Sequence, residues 1–311
     1  MRIYYRSSDG VIQDLDRYPC WMQSGDFLNY EWEYFVTDSG NAITGLRKSV
    51  REKSFLITVF GINEKEYKKN VDSLHEIFEK DVVRHTPGRL YFGEYYLPCY
   101  IFASEKTEWE SGITSIENNF KLVEAYPYWV KETFFQFHPE NGESEEKGPF
   151  PIAIGENHER KKLKSGATFL EFPFDLCRND TKKTLYPLFD TPFELCRTKG
   201  RRIIDNPAFR ESNFYMTIYG FVDNPQVIIA GHPYIVYATL YEGERLIIDS
   251  RNNTIVKIGR LGEKTNLYNA RGKQYSVFKK IPSGTQSLSW SGAFGIDLRL
   301  YDERSEPKCN L

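Results

Sequence analysis

The feature that most limits how this chain can fold is a series of short, alternating apolar segments in its last third. Each segment is bounded by Gly, Pro, Asn or Asp, and alternation with a period of two residues is typical of β-strands that bury one face. The segments cover residues 214–220, 226–230, 234–241, 245–249, 254–258, 275–278, 286–290 and 294–301. Because no internal repeat accompanies them, we expect an antiparallel β-sandwich and not a propeller.

The front of the chain predicts strands around a single helix. Asn63 is placed to cap the helix, and Glu66 completes a capping box three residues later. The apolar face that follows has helical spacing and consists of Tyr67, Val71, Leu74 and Phe78. Strands are expected at 54–60, 89–93, 96–103, 119–124 and 129–137. The fold class is therefore mainly β, with one helix in the N-terminal domain.

A change in composition divides the chain. Residues 138–149 contain no apolar side chain, two prolines and two glycines, which is typical of a linker or exposed loop. A chain of 311 residues suits two domains. We expect an N-terminal domain at 1–137 and a C-terminal domain at 138–311. The weak periodicity within 138–205 favours an extended arm or binding loop there.

The charge balance argues against two classes of partner. The chain has 41 basic and 43 acidic residues, a net charge of −2, whereas affinity for nucleic acid that rests on phosphate neutralisation needs a basic excess. No apolar run approaches the roughly 20 residues that span a bilayer. We therefore expect no sequence-specific nucleic acid and no membrane as partners.

Residues that carry chemistry are scattered. The five cysteines are odd in number and form no CxxC pair, which favours reduced thiols, with Cys99 buried in a strand. The five histidines form no triad, and His158 lacks a second ligand pair at metal-binding spacing. Asp249 could pair with Glu242 or Glu244, but these residues lie near strand ends, where an aspartate is first a turn former. We predict no catalytic residue, no metal, no cofactor and no enzymatic activity.

The aromatic content is high, at 48 of 311 residues. The N-terminal domain holds more large aromatic side chains than one small core requires, and subunit interfaces are enriched in such residues. The sequence leaves two interpretations open, an oligomer interface or two ordinary packed sheets. The candidate interface residues are Trp21, Trp32, Tyr95 and Tyr96.

Several blocks of sequence at both ends of the chain are informative through the order in which they occur. They are residues 87–97, 127–132, 211–220, 228–232, 242–252, 281–285 and 294–308. Taken in order, these blocks resemble those of the distal tail proteins of long-tailed phages and prophages of Gram-positive bacteria. The resemblance covers roughly 1–137 and 205–308.

That resemblance implies a structural protein of the virion tail. The N-terminal domain would be a β-sandwich or split barrel that forms a ring, and the C-terminal domain a galectin-like sandwich. The implied assembly is a homohexamer between the tail tube protein and the tail-tip hub, tail-associated lysin or fibre, with receptor-binding proteins as further partners.

Two departures from the family pattern concern single residues. Cys309 stands where a terminal aromatic residue is usual. Trp290 is the candidate carbohydrate platform, but no galectin-type sugar motif precedes it, and core packing is the favoured alternative. A soluble carbohydrate-binding module that recognises a bacterial surface is the alternative function.

Overall fold

The structure is a computed structural model that describes residues 2–106, 112–139 and 200–308. Its contacts divide the chain into two compact units, which we call the first and second units. The first unit is Met1–Glu132 together with Glu303–Leu311, and the second is Thr133–Asp302. This division differs from the expected boundary at 137/138 in two places. Residues 133–137 belong to the second unit, and the C-terminal tail returns to the first.

The first unit combines antiparallel strands with the α-helix α1 (Glu64–Val83). The strands pair in the order β2-β1-β7-β8-β9-β6-β3, and β4 and β5 form a two-stranded sheet of their own. Their bounds are β1 (Ile3–Arg6), β2 (Ile12–Asp14), β3 (Cys20–Gly25), β4 (Glu33–Val36), β5 (Ile43–Arg47), β6 (Glu52–Phe60), β7 (Gly88–Phe92), β8 (Tyr95–Lys106), β9 (Ser115–Glu124) and β10 (Trp129–Phe137), which continues into the second unit.

Helix α1 begins as its sequence predicts. Asn63 Oδ1 accepts a hydrogen bond from the Glu66 amide at 2.9 Å, and Glu66 reaches back to the amide of Ile62 at 3.2 Å. The predicted apolar face is buried against the sheet, where the Phe78 ring lies 5.3 Å from that of Phe120. The helix prediction is therefore confirmed. No helix in the described ranges has both the length and the apolarity to span a bilayer.

Helix α1 also carries a histidine whose protonation opposes folding. The ring of His75 lies 5.6 Å from that of Phe120, and its Nε2 atom has no hydrogen-bond partner among the described residues. Burial lowers the pKa of His75 below its ordinary 6.5, and the Lys106 charge adds to the shift. The unfolded chain therefore binds a proton at this position more readily than the folded chain does.

We expect the free energy of unfolding to fall as the pH drops from 7.5 to 5.5, since the unfolded state gains the proton first. His75→Gln removes this titration, so the variant is expected to lose less stability over the same interval. Urea unfolding at both pH values measures the difference. An equal loss in the two proteins would assign the pH dependence to other groups.

The second unit is an antiparallel β-sandwich. One sheet has the order β19-β18-β17-β12-β21 and the other β11-β20-β14-β15. Side chains from both sheets share one core, in which the Phe214 and Tyr234 rings meet edge to face at 5.3 Å. The bounds are β11 (Gly200–Asn206), β12 (Asn213–Tyr219), β13 (Val222–Asp223), β14 (Gln226–Ile229), β15 (His232–Ile235), β16 (Thr239–Leu240), β17 (Arg245–Asp249), β18 (Thr254–Ile258), β19 (Lys264–Asn266), β20 (Gly284–Trp290) and β21 (Ile296–Arg304).

The mainly β fold class is confirmed, and most predicted strands are present with small shifts of their ends. Two strand predictions are wrong: 234–241 is split between β15 and β16, and 275–278 is a loop. Cys99 is buried in β8 as expected, and burial raises the pKa of its thiol to about 12. Cys309 and most of the predicted arm, residues 140–199, lie outside the described residues. The described end of that region, 200–206, forms β11.

Candidate functional site

The hairpin formed by β4 and β5 carries apolar side chains that lie open to solvent. It pairs with no other strand among the described residues. Tyr34 lies opposite Leu46 and Val36 opposite Ile43, so the members of each pair share a face. All four side chains are more than half exposed, and Tyr34 reaches 67%. We call these four residues the hairpin patch. A lone hairpin is marginally stable in water, and contiguous exposed apolar surface marks an interaction site.

The base of this hairpin is fixed to the first unit. Trp32 precedes β4, is half-buried, and meets the Tyr128 ring at 6.2 Å. Lys48 follows β5 and is buried, with its ammonium 5.1 Å from the centre of the same ring. Lys48 Nζ also donates to the Ser305 carbonyl at 3.4 Å. Because both ends of the hairpin are anchored on Tyr128, its exposed strands are held in a defined place.

A second exposed apolar surface surrounds the start of α1. It consists of Tyr18, Trp21, Phe60 and Ile62, of which Ile62 is 81% exposed. Tyr18 donates its hydroxyl hydrogen to Glu66 Oε1 at 2.7 Å, and this bond raises the pKa of the tyrosine. We call these four residues the helix-start patch. The first unit therefore has two apolar surfaces that differ in sequence and in supporting structure.

Two of the four aromatic residues proposed for an interface reach solvent. Trp21, at 57% exposure, belongs to the helix-start patch. Trp32 is half-buried, and its contact with Tyr128 anchors the start of β4. These two residues therefore lie at the two exposed surfaces, although not side by side.

Tyr95 and Tyr96 are instead buried within the first unit. The Tyr96 hydroxyl donates to Glu132 Oε1 at 2.6 Å, and the Arg89 guanidinium lies 4.4 Å from the centre of the Tyr96 ring. Such contacts are those of a packed sheet. The burial of both tyrosines favours the other interpretation that the sequence leaves open, two ordinary packed sheets.

Trp290 occupies the core of the second unit. It is 4% exposed, its Nε1 donates to the Phe294 carbonyl at 3.0 Å, and the Phe137 ring lies 5.6 Å away. A sugar platform needs an open ring face, which this placement does not offer. The observation favours the core-packing alternative for Trp290.

The described part of the chain contains no cluster of side chains suited to bind a metal ion. No group of three or more His, Cys, Asp or Glu side chains in residues 2–106, 112–139 and 200–308 is arranged to bind a metal ion. The buried carboxylate of Asp81 has a structural role. It accepts hydrogen bonds from the Tyr5 hydroxyl at 2.7 Å and from the Ser8 amide at 2.9 Å.

Solved structures of other proteins share this architecture. Two solved structures of the phage p2 baseplate in its activated conformation, with calcium and with strontium, each contain a similar chain. The identities are 9% and 10%, the TM-scores 0.54 and 0.55, and each match covers 98% of this chain and 99% of the other. The chain has the fold of a phage baseplate protein. The predicted resemblance is thus confirmed as far as the fold goes.

A third solved structure also matches this chain over nearly its whole length. The Dit protein of phage SPP1, described as a paradigm of the hub adsorption apparatus in phages that infect Gram-positive bacteria, is 10% identical over 97% of this chain and 98% of its own. Its TM-score is 0.48. No protein-family model matches the chain, and no curated protein matches it.

The hairpin patch of this baseplate-like chain is not among the sequence predictions. Its signal in the sequence is two apolar groups, at 34–36 and 43–46, on either side of the turn-forming residues 38–41. That pattern predicts a hairpin, but it does not say that both strands remain uncovered. Exposure is the information that the pattern lacks.

Proposed function

We propose that this protein is a structural component of a phage or prophage tail tip and assembles as a homohexameric ring. The observation that carries the proposal is the shared fold with phage baseplate chains over nearly the whole length of both proteins. Its place would be the virion tail, between the tail tube protein and the hub, lysin or fibre, with receptor-binding proteins as further partners. We assign it no enzymatic activity, and turnover of cell-wall polymers that one substitution abolishes would contradict this.

The two apolar patches of the first unit support a ring. In a closed ring each subunit uses two different surfaces, one toward each neighbour, whereas a two-fold dimer uses one surface twice. The hairpin patch and the helix-start patch provide two such surfaces. The number six rests on the resemblance to distal tail proteins. We propose that the hairpin patch of one subunit packs on the next subunit, and that sugar binding by Trp290 forms no part of the function.

Loss of the ring is the expected result of placing charge on the hairpin. In Ile43→Glu/Leu46→Glu, two carboxylates would have to be buried in the interface, at several kcal/mol each, so we expect monomers. The unfolding midpoint of the monomer should change little, because both side chains are exposed. Sedimentation velocity across a range of concentrations, with negative-stain microscopy of the wild type, measures the assembly.

Leu261→Glu is the matched control, since Leu261 is an exposed leucine of the second unit. We expect this variant to form the same ring as the wild type. A wild-type chain that stays monomeric at every concentration would overturn the ring. A hairpin variant that sediments as the wild-type ring would instead reject the hairpin as the interface.

A further inference from the structure

A groove of about 460 Å³ lies in the second unit, between the outer face of the β14–β15 hairpin and the loop at 275–278. Its volume lies in the range of small-molecule sites. The lining side chains that bear on ligand binding are Gln226, Ile228, His232, Ile235, Tyr275 and Lys279.

Long-range contacts hold the loop wall in place. The Tyr234 hydroxyl donates to the Lys279 carbonyl at 2.8 Å, which ties the far end of the loop to β15. His232 Nε2 lies 2.8 Å from the Ser276 carbonyl, and the His232 ring meets Tyr275 edge to face at 5.8 Å. Because two side chains of β15 hold the backbone of the loop at Ser276 and Lys279, the groove is formed before any ligand binds.

The same contact sets the chemistry of the histidine. A carbonyl oxygen only accepts hydrogen bonds, so Nε2 of His232 carries a hydrogen and donates it to Ser276. The Gln226 amide adds both a donor and an acceptor at the other end of the groove. The lining thus offers hydrogen-bonding groups of both kinds, which suits a ligand rich in hydroxyl groups.

The remaining lining is apolar or positively charged. Half-buried Ile228 and Ile235 form a flat apolar floor, and Tyr275 presents a ring that is 44% exposed. Lys279 is the charged lining residue, and no carboxylate lines the groove among the described residues. The wall segment 271–280 contains four basic residues and no acidic one. The groove therefore favours a negative charge on its ligand.

We propose that this groove binds a saccharide that carries a carboxylate or a phosphate. The apolar face of a sugar ring would lie on the isoleucine floor and against Tyr275, the hydroxyl groups would bond to Gln226 and His232, and the anionic group would face Lys279. All the residues concerned belong to the second unit, whereas the proposed ring contact belongs to the first. The proposed binding does not involve Trp290.

The test measures binding to the full-length wild-type protein by saturation-transfer NMR and titration. The probes are tetragalacturonate for a carboxylate, glucose 1-phosphate for a phosphate, neutral galactotetraose, and inorganic phosphate alone. We expect at least one anionic saccharide to bind about tenfold or more tightly than galactotetraose. Equal affinity for the neutral sugar, no binding of either anionic saccharide, or equal affinity for inorganic phosphate alone would each overturn the proposal.

Variants separate the two parts of the interaction. Lys279→Gln is expected to abolish the preference for the anionic saccharide, whereas Tyr275→Ala should weaken all saccharides about tenfold. Lys264→Gln, at an exposed lysine of β19, and Tyr237→Ala, at another exposed tyrosine, do not line the groove and should bind as the wild type does. Unfolding midpoints equal to that of the wild type exclude loss of folding. Unchanged binding in Lys279→Gln and Tyr275→Ala, or the same loss in the controls, would reject the groove as the site.

Discussion

Replacing Glu124 with glutamine is expected to lower the free energy of unfolding by about 3–5 kcal/mol. Glu124 Oε1 lies 2.8 Å from Lys53 Nζ, and both side chains are almost fully buried between β6 and β9. The substitution leaves the Lys53 ammonium inside the first unit without its counter-ion. A buried charge without a partner is among the largest single destabilising effects in proteins. Urea unfolding, followed by tryptophan fluorescence, measures the change.

Two further variants identify the cause of this loss. Glu64→Gln breaks the exposed pair with Lys68, at 2.7 Å on the helix surface, and should cost less than about 0.5 kcal/mol. The double variant Lys53→Met/Glu124→Leu removes both buried charges and should recover most of the stability. If the double variant is as unstable as Glu124→Gln, the unpaired charge is not the reason.

The same ion pair connects stability to the proposed interface. Lys53 Nζ donates to the Phe27 carbonyl at 2.9 Å, and Ser54 donates its amide hydrogen to Asp26. Residues 26–27 precede Trp32 and β4, so these bonds fix the chain just before the exposed hairpin. Loss of the Glu124 carboxylate should therefore make residues 26–27, which lead to the hairpin, less firmly held, in addition to destabilising the core.

Local sequence patterns predict those helices and strands whose formation is determined by residues close to one another in the chain. Helix α1 has a cap at Asn63 and an apolar face of fixed spacing, and both are determined within 16 residues. The alternating residues of the loop at 275–278 predict a strand. The loop's real position depends on bonds from His232 and Tyr234, more than 40 residues earlier in the chain, which no local pattern contains.

The exposure of the candidate site residues likewise depends on distant parts of the chain. Trp290 and Trp21 are the same residue type and both lie in strands, and residue type alone does not tell a core side chain from an exposed one. One is 4% exposed and the other 57%, because the sheets that cover them are assembled from distant parts of the chain. The hairpin patch is hidden from sequence reasoning for a related reason, since an apolar strand in a sequence is normally assigned to the core of its own chain.

Gly61→Ala is expected to destabilise the first unit by about 3 kcal/mol or more, because the added methyl group has no space. A Cβ atom at this position would lie 2.3 Å from the Tyr67 amide nitrogen and 2.5 Å from its Cα. These are backbone atoms of the first turn of α1, so the helix itself would have to move. That movement would also displace Ile62 and Phe60 of the helix-start patch.

Gly45→Ala provides the control for this effect. Gly45 lies in β5, and the nearest atom to an added Cβ is Phe35 Cδ2, at 3.9 Å, which is ordinary contact. We expect its unfolding midpoint in urea to lie close to that of the wild type, whereas that of Gly61→Ala should fall clearly below. A Gly61→Ala protein as stable as the control would mean that α1 does not approach the end of β6 so closely. In that case α1 would not hold the helix-start patch in place, while the hairpin patch would be unaffected.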